Sequence, residues 1–272
     1  MTDTFLLGGD LPVHRLGFGA LRLPGRPAAA RATSIAVARR AVELGVTLID
    51  TADSYDLGDN ETLLAEALHP YPDGLVLATK AGRINLGTDW YDCGRPEYLR
   101  QQAELSLRRL RVPRIDLFQL HRVDPTVPLA DQIGALRQLR DEGSIRHVGL
   151  SEVSVDQIEA ARRIVPVAAV QNRYNLADRR HDDVLAYCER HGIAFLPWLP
   201  VAPRTLTGAA HRVAARHGVT ATRVALAWLL RRSPVLLPIP GTSNLDHLAD
   251  NLAAATLHLS DEDVAELDGT AD

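Results

Sequence analysis

Eight short apolar runs, separated by segments with amphipathic helical spacing, constrain this chain more than any other feature. They are Leu16 to Gly19, Val46 to Asp50, Leu75 to Lys80, Ile115 to His121, Arg146 to Ser151, Val167 to Asn172, Ile193 to Trp198 and Val235 to Ile239. Most are nearly continuous rather than alternating, as strands buried on both faces of a parallel sheet must be. Helix signals fill the gaps, with stop glycines at Gly45, Gly143 and Gly192 and the capping-box pattern Ser154-x-x-Gln157. Eight strand–helix units predict an α/β fold, a closed (β/α)8 TIM barrel. An N-terminal β-hairpin over Phe5 to Arg15, turning at Gly8-Gly9-Asp10, precedes it.

No Pro/Ser/Gly-rich linker interrupts the series, so residues 1–272 read as a single domain. The rival is a doubly wound open sheet, which binds dinucleotides through G-x-G-x-x-G after its first strand. Here that place reads Gly17-Phe-Gly19-Ala20-Leu21-Arg22; the third glycine is missing and Pro24 and Pro27 follow, so this reading is rejected. With 46% apolar and 24% charged residues the chain has ample material for a core. A formal charge of -4 without a run of Lys and Arg excludes a nucleic-acid stripe. Cys93 and Cys188 lack partners at zinc-ligand spacing, which argues for no metal and fits a reducing cytoplasm. The amino terminus has neither a basic start nor a long apolar segment, so no signal peptide or membrane span is expected, and the sequon at Asn60 reads as chance. No apolar stripe separable from core indicates an oligomeric state.

In barrels of this kind the reacting groups sit at the carboxyl ends of the strands. The successive runs end in Asp50, Lys80, His121, Ser151-Glu152, Gln171-Asn172 and Trp198. Asp50 and Lys80 end neighbouring runs and should pair, because unpaired charge there is expensive. Tyr55 follows on the loop after Asp50 and can reach over the pair, with His121 arriving from the adjacent strand. Carbonyl reduction needs a donor that stays protonated at neutral pH, as a phenol does, and a nearby cation should lower its pKa. Lys80 supplies that cation, Asp50 holds Lys80, and His121 orients the carbonyl by a hydrogen bond.

These residues resemble the aldo-keto reductase family, over essentially the whole chain. The resemblance is carried by Leu48-Ile-Asp50-Thr-Ala-Asp-Ser-Tyr55, Ala78-Thr-Lys80, Asp116-Leu-Phe-Gln-Leu-His121, Gly149-Leu-Ser151, Val170-Gln171-Asn172-Arg-Tyr174-Asn175 and Ile239-Pro-Gly241-Thr242-Ser243. It implies a catalytic set of Asp50, Tyr55, Lys80 and His121, and a nicotinamide cofactor laid across the barrel mouth. The implied cofactor wall is Gly19, Ala20, Asp50, Ser151, Glu152, Gln171, Trp198, Pro240, Gly241, Thr242, Ser243, His247, Asp250 and Asn251. Within it Ser151 and Gln171 hold the carboxamide, Trp198 stacks on the ring, and the last helix contacts the adenosine end. Independently of the family, the unpaired amides after Gly241-Thr242-Ser243 suit a phosphate. The pattern Pro-Gly-Thr-Ser with His247 and Asn251 points to NADP, with NAD as the alternative.

Three departures bear on this. Glu152 stands where many members have Asn, and an ionised carboxylate can only accept hydrogen bonds. Gly241 and His247 stand where many carry Lys or Arg. Asp56 replaces the Gly that often follows the tyrosine, an extra charge near the mouth. The small-molecule carbonyl substrate is expected against loops Arg83 to Arg95, Arg122 to Pro128 and Val201 to Gly208, with Trp90, Tyr91 and Arg122 as contacts. The short segment after the Ser260-Asp-Glu-Asp263 helix start suggests an open site. Two other classes stay in view at this level: a non-redox isomerase or lyase on the same barrel, and a cofactor-sensing interaction subunit.

Overall fold

The computed structural model describes residues 4–202, 206 and 208–269. Strands β1 (Thr4–Leu7) and β2 (Leu11–His14) form the expected hairpin, with Gly8 and Gly9 supplying the positive φ of its turn. The barrel begins with β3 (Phe18–Gly19), α1 (Ala28–Glu43), β4 (Leu48–Asp50), α2 (Asp59–Leu68) and β5 (Val76–Ala81). A second hairpin, β6 (Arg83–Leu86) with β7 (Asp89–Asp92), stands where the sequence suggested an irregular loop. Then follow α3 (Pro96–Leu110), β8 (Ile115–Leu120), α4 (Leu129–Asp141), β9 (Ile145–Ser151), α5 (Val155–Arg162) and β10 (Val167–Gln171). The chain continues through α6 (Asp182–His191), β11 (Ala194–Phe195), α7 (Gly208–His217), α8 (Ala221–Arg232), α9 (Leu245–Leu252) and α10 (Asp261–Asp268).

Seven parallel strands pair in the order β11-β10-β9-β8-β5-β4-β3. The eighth run is not a regular strand, which corrects the expectation for Val235 to Ile239: Leu236 makes only an isolated bridge to Phe195. Its sequence explains this, since Pro238 and Pro240 have no N–H to give a ladder. The segment still joins the two edges. Phe195 exchanges backbone hydrogen bonds with Val235 and Leu237, while Gly17 and Gly19 donate to the carbonyls of Pro238 and Pro240. The approach at this seam is tight: a Cβ on Gly19 would lie 2.6 Å from the Ile239 carbonyl oxygen.

Leu7 and Val13 of the hairpin are fully buried in one cluster with Leu48, Val76, Leu117 and Leu237, so the hairpin plugs the bottom of the barrel. His14 and Asp10 tie it to the amino-terminal ends of the strands, through Gly45, Thr47, Arg146 and His147. Helices cover the outer faces. The stop glycines take positive φ as expected, and Ser154 and Gln157 form the full capping box. Asn60 is 1% exposed and bonds the carbonyls of Ala20 and Leu23, so the sequon is inside the protein. Among the described residues no helix is long and apolar enough to cross a membrane. With the bottom plugged, the carboxyl ends of the strands form the accessible mouth.

Candidate active site

Strand register brings the polar strand ends together. Gly19 lies beside Asp50, Lys80 beside Gln119, and Ser151 beside Gln171. Asp50 Oδ2 accepts a 2.6 Å hydrogen bond from Lys80 Nζ, which also donates to the Thr51 carbonyl at 2.7 Å. Asp50 Oδ1 accepts from Gln119 Nε2 at 3.0 Å and Gln171 Nε2 at 2.9 Å. The carboxylate is therefore saturated by one cation and two amides, which is what lets it sit buried. Burial pulls the Lys80 ammonium down, but Asp50 and Tyr55 more than offset this and hold it above the ordinary lysine value.

Tyr55 opens a short 3-10 turn after β4, in which Asp56 and Leu57 adopt left-handed φ of 50° and 54°. Its ring lies 5.0 Å from Lys80 Nζ and edge-on to His121 at 5.9 Å. The expectation that Lys80 lowers the phenol pKa is half right. Burial raises it, Lys80 opposes, and burial prevails, so Tyr55 is a protonated donor at neutral pH. His121 lies just past the end of β8, where its backbone N–H donates to the Ala81 carbonyl. Burial, then the charges of Lys80, Arg122 and Arg83, push its pKa well below the usual histidine value, leaving a neutral imidazole. Nδ1 faces Ser54 Oγ at 3.4 Å, which leaves Nε2 for the cavity.

A cavity of about 800 Å³ opens on this set. Asp50, Tyr55, His121, Ser151, Gln171 and Trp198 line one end, and Pro240 to Asn244, His247, Asp250 and Asn251 the other, with Gly19 between β4 and the closing segment. Arg122 and Trp90 also line it. Four anticipated residues are placed differently. Ala20 is fully buried and absent from the wall. Tyr91 is 52% exposed and turned outward, because neighbours on a strand point to opposite faces and Trp90 takes the inner one. Asp56 is exposed and off the wall. Glu152, at φ 56°, also stays off the wall; its Oε1 accepts from the Trp198 indole at 2.6 Å and the Arg173 N–H at 2.7 Å. The carboxylate thus holds the tryptophan ring instead of facing a carboxamide.

The α9 end also differs from expectation. Asn244 Oδ1 already accepts from the amides of Asp246 and His247, so those two donors are not free for a phosphate. Asp250 lines the cavity yet is bound by Arg223 Nε at 2.9 Å and by Thr220. Ser151 Oγ accepts from Arg122 Nη1 at 3.0 Å. Of the mouth loop Val201 to Gly208, residues 203–205 and 207 lie outside the described residues. No described residue after Asn251 lines the cavity, and α10 is instead tied to α7 by Arg216 and His217 on Asp263.

Sequence reasoning passed over Gln119, the second amide on Asp50. The signal was present: with His121 two residues on, a glutamine at an inward position of an otherwise apolar run needs a polar partner. Gly149 makes room for it, since a Cβ there would lie 2.7 Å from Gln119 Cγ. Arg83 lines the wall from the loop expected to form it, whereas Arg22, Leu21 and Thr222 were not anticipated.

Behind the set lies a second buried carboxyl. Asp53 is 5% exposed with Oδ1 unpartnered, and its neighbour Glu61 is bound by Arg109 at 2.6 Å and by Thr79. Burial first, then the charge of Glu61, pushes Asp53 up to about 8, against the pull of Arg109. A folded-state pKa above the unfolded value means the native state holds more protons between about pH 4 and 8, so this group costs stability as pH rises through that window. Asp53→Asn removes the titration. In urea unfolding, its stability relative to wild type should grow by on the order of 1 kcal/mol per pH unit from pH 5 to 8. A difference that stays constant with pH would contradict a protonated Asp53.

The aldo/keto reductase family model matches residues 15–213 and 202–272. Over 272 residues the chain is 48% identical to an uncharacterized oxidoreductase of Schizosaccharomyces pombe, covering 96% of this chain and 87% of that one. It is 38% identical to pyridoxine 4-dehydrogenase of Escherichia coli, covering 98% of each. An aldo/keto reductase from Klebsiella pneumoniae, solved in complex with NADP and acetate, superposes with a TM-score of 0.87 at 28% identity, over 100% of this chain and 97% of that one. The chain belongs to the aldo/keto reductase family. It is a nicotinamide-dependent oxidoreductase on a (β/α)8 barrel.

Proposed function

We propose that this protein reduces an aldehyde or ketone with NADP(H), with Tyr55 as proton donor. One observation carries the reading: a protonated phenol, a saturated Lys80–Asp50 pair and a neutral imidazole meet at a cavity of about 800 Å³ whose wall also includes the Pro240 to Asn244 segment. The donors fit a nicotinamide cofactor. Ser151 and Gln171 offer side chains at the reacting end, and the Gly241–Ser243 segment and Arg22 line the far end with backbone N–H groups and a cation. Trp198, fixed through Glu152, offers a flat face at the reacting end. The NADP-bound relative supports NADP(H) over NAD(H).

When bound, the cofactor supplies the hydride. The chain supplies the rest. Tyr55 Oη gives its proton to the carbonyl oxygen as negative charge builds there. Lys80 stabilises the phenolate left behind, and Asp50 with its two amides keeps Lys80 charged and in place. His121 Nε2–H donates to the same oxygen and sets its position. In the reverse direction the phenolate is the base. Residues 1–272 act in this reading as one domain, in the cytoplasm.

The test is loss of reduced-nicotinamide absorbance, with NADPH and NADH in turn, against a panel of aldehydes and ketones that includes pyridoxal. Pyridoxal enters because of the similarity to the Escherichia coli dehydrogenase. Turnover with NADPH exceeding that with NADH is the expected result. Failure to bind either nucleotide would overturn the reading, and turnover with unchanged cofactor would replace it by isomerase or lyase chemistry.

A further inference from the structure

We infer that the carbonyl compounds favoured by this site carry a carboxylate, held beside the reacting end by Arg122 and Arg83. The inference rests on the reductase reading of the same cavity. Arg122 directly follows His121 in the chain, and its Nη1 donates to the His121 carbonyl at 2.7 Å and to Ser151 Oγ at 3.0 Å. One arm of the guanidinium is thereby pinned to the wall that holds the proton-delivery set. Its Nε and Nη2 make no hydrogen bond or ion pair with the described residues.

Arg83 lines the same cavity from the second hairpin. Its guanidinium lies 4.7 Å from the Trp90 ring centroid, and its buried Nε has no hydrogen-bond partner. The nearest carboxylate, Asp92, is 3.9 Å away across the hairpin. The other acids near this end are already engaged: Asp50 by Lys80, and Glu152 by Trp198 and Arg173. Burial, and the like charge of Arg83, hold the Arg122 guanidinium below its ordinary value, with Glu152 and Asp92 acting against this from beyond ion-pair distance.

Two half-buried guanidinium groups with free donors, Arg122 without an ion pair among the described residues and Arg83 with a single long one to Asp92, are costly, and an anion offsets that cost. A carboxylate matches the planar fork of an arginine with two parallel bonds. A substrate with its carbonyl at Tyr55 and His121 and its carboxylate on Arg122 would be fixed at both ends, which raises the fraction of bound encounters in reacting geometry. Neutral carbonyl compounds of the same size would leave Arg122 unpaired and Arg83 with only its long contact to Asp92.

The experiment compares kcat/KM for 3- and 4-carboxybenzaldehyde with their methyl esters, using NADPH, in wild type and in Arg122→Leu, Arg122→Lys and Arg83→Gln. At least one acid should exceed its ester by about 10- to 100-fold in wild type, the range of a charge-assisted contact. The preference should shrink as salt is added. In Arg122→Leu the acid-to-ester ratio should fall toward one, with a smaller fall in Arg122→Lys and Arg83→Gln. Each ratio is taken within one preparation, so lower absolute activity in a variant does not disturb it. If Arg122→Leu does not fold, the wild-type ratio and its salt dependence decide. Equal treatment of acid and ester by active wild type, or a ratio unmoved by Arg122→Leu, overturns the carboxylate inference and leaves the reductase reading standing.

Discussion

Tyr55→Phe should lower kcat for carbonyl reduction by about 10²- to 10⁴-fold, the usual worth of a positioned proton donor. The substitution removes one oxygen and keeps the ring that stands edge-on to His121. Nucleotide affinity, read from quenching of the intrinsic tryptophan fluorescence, should therefore stay within about threefold of wild type. The pH profile gives a second check. Burial holds the phenol above its ordinary pKa, so wild-type reduction should show no loss from Tyr55 deprotonation between about pH 6 and 9. Oxidation, which needs the phenolate, should instead rise with pH across that range. A phenylalanine variant that keeps full kcat would move the proton-donor role away from Tyr55.

Lys80→Met should destabilise the fold by about 3–5 kcal/mol, because it strands the buried Asp50 carboxylate. Lys80 is fully buried and Asp50 almost so, so no water replaces the lost ammonium cheaply. Gln119 and Gln171 still donate to Asp50 Oδ1, which places the expected loss toward the lower part of the range. The double variant Asp50→Asn with Lys80→Met removes the stranded charge and should recover most of the stability while remaining inactive. Urea unfolding of the three proteins measures this directly. An unchanged midpoint for Lys80→Met would mean that the pair serves chemistry alone.

Much of the site was legible because strand ends are written locally. Asp50, Lys80, His121, Ser151 and Gln171 each close an apolar run, and in a parallel barrel every such residue arrives at the same rim. The capping box at Ser154 and the stop glycines were equally local, since each acts within one turn of backbone. The eighth strand was less legible. Its apolar pattern was right, but Pro238 and Pro240 remove the donors that a regular ladder requires, so toward Gly17 and Gly19 it closes the barrel through its carbonyls.

What stayed hidden depends on directions that composition does not encode. Which of Trp90 and Tyr91 faces inward follows from the pairing of β6 with β7, and that the segment is a hairpin at all emerged only in the fold. Glu152 could be recognised as unusual, but not that its carboxylate would take the Trp198 N–H. Asn244 satisfying the amides of Asp246 and His247 was likewise beyond reach of a pattern. By itself the sequence determined the barrel, its accessible end and the four residues proposed for proton delivery, because hydrophobic period and strand termini are properties of neighbouring residues. The tertiary structure alone decided how charge is shared at the mouth: a lysine saturated by Asp50, a glutamate spent on Trp198, an Arg122 with no ion pair among the described residues, and an Arg83 with only a long one to Asp92. Those balances depend on distances of a few ångström between groups far apart in the chain, and in a low-dielectric setting such distances set both sign and size of the effect.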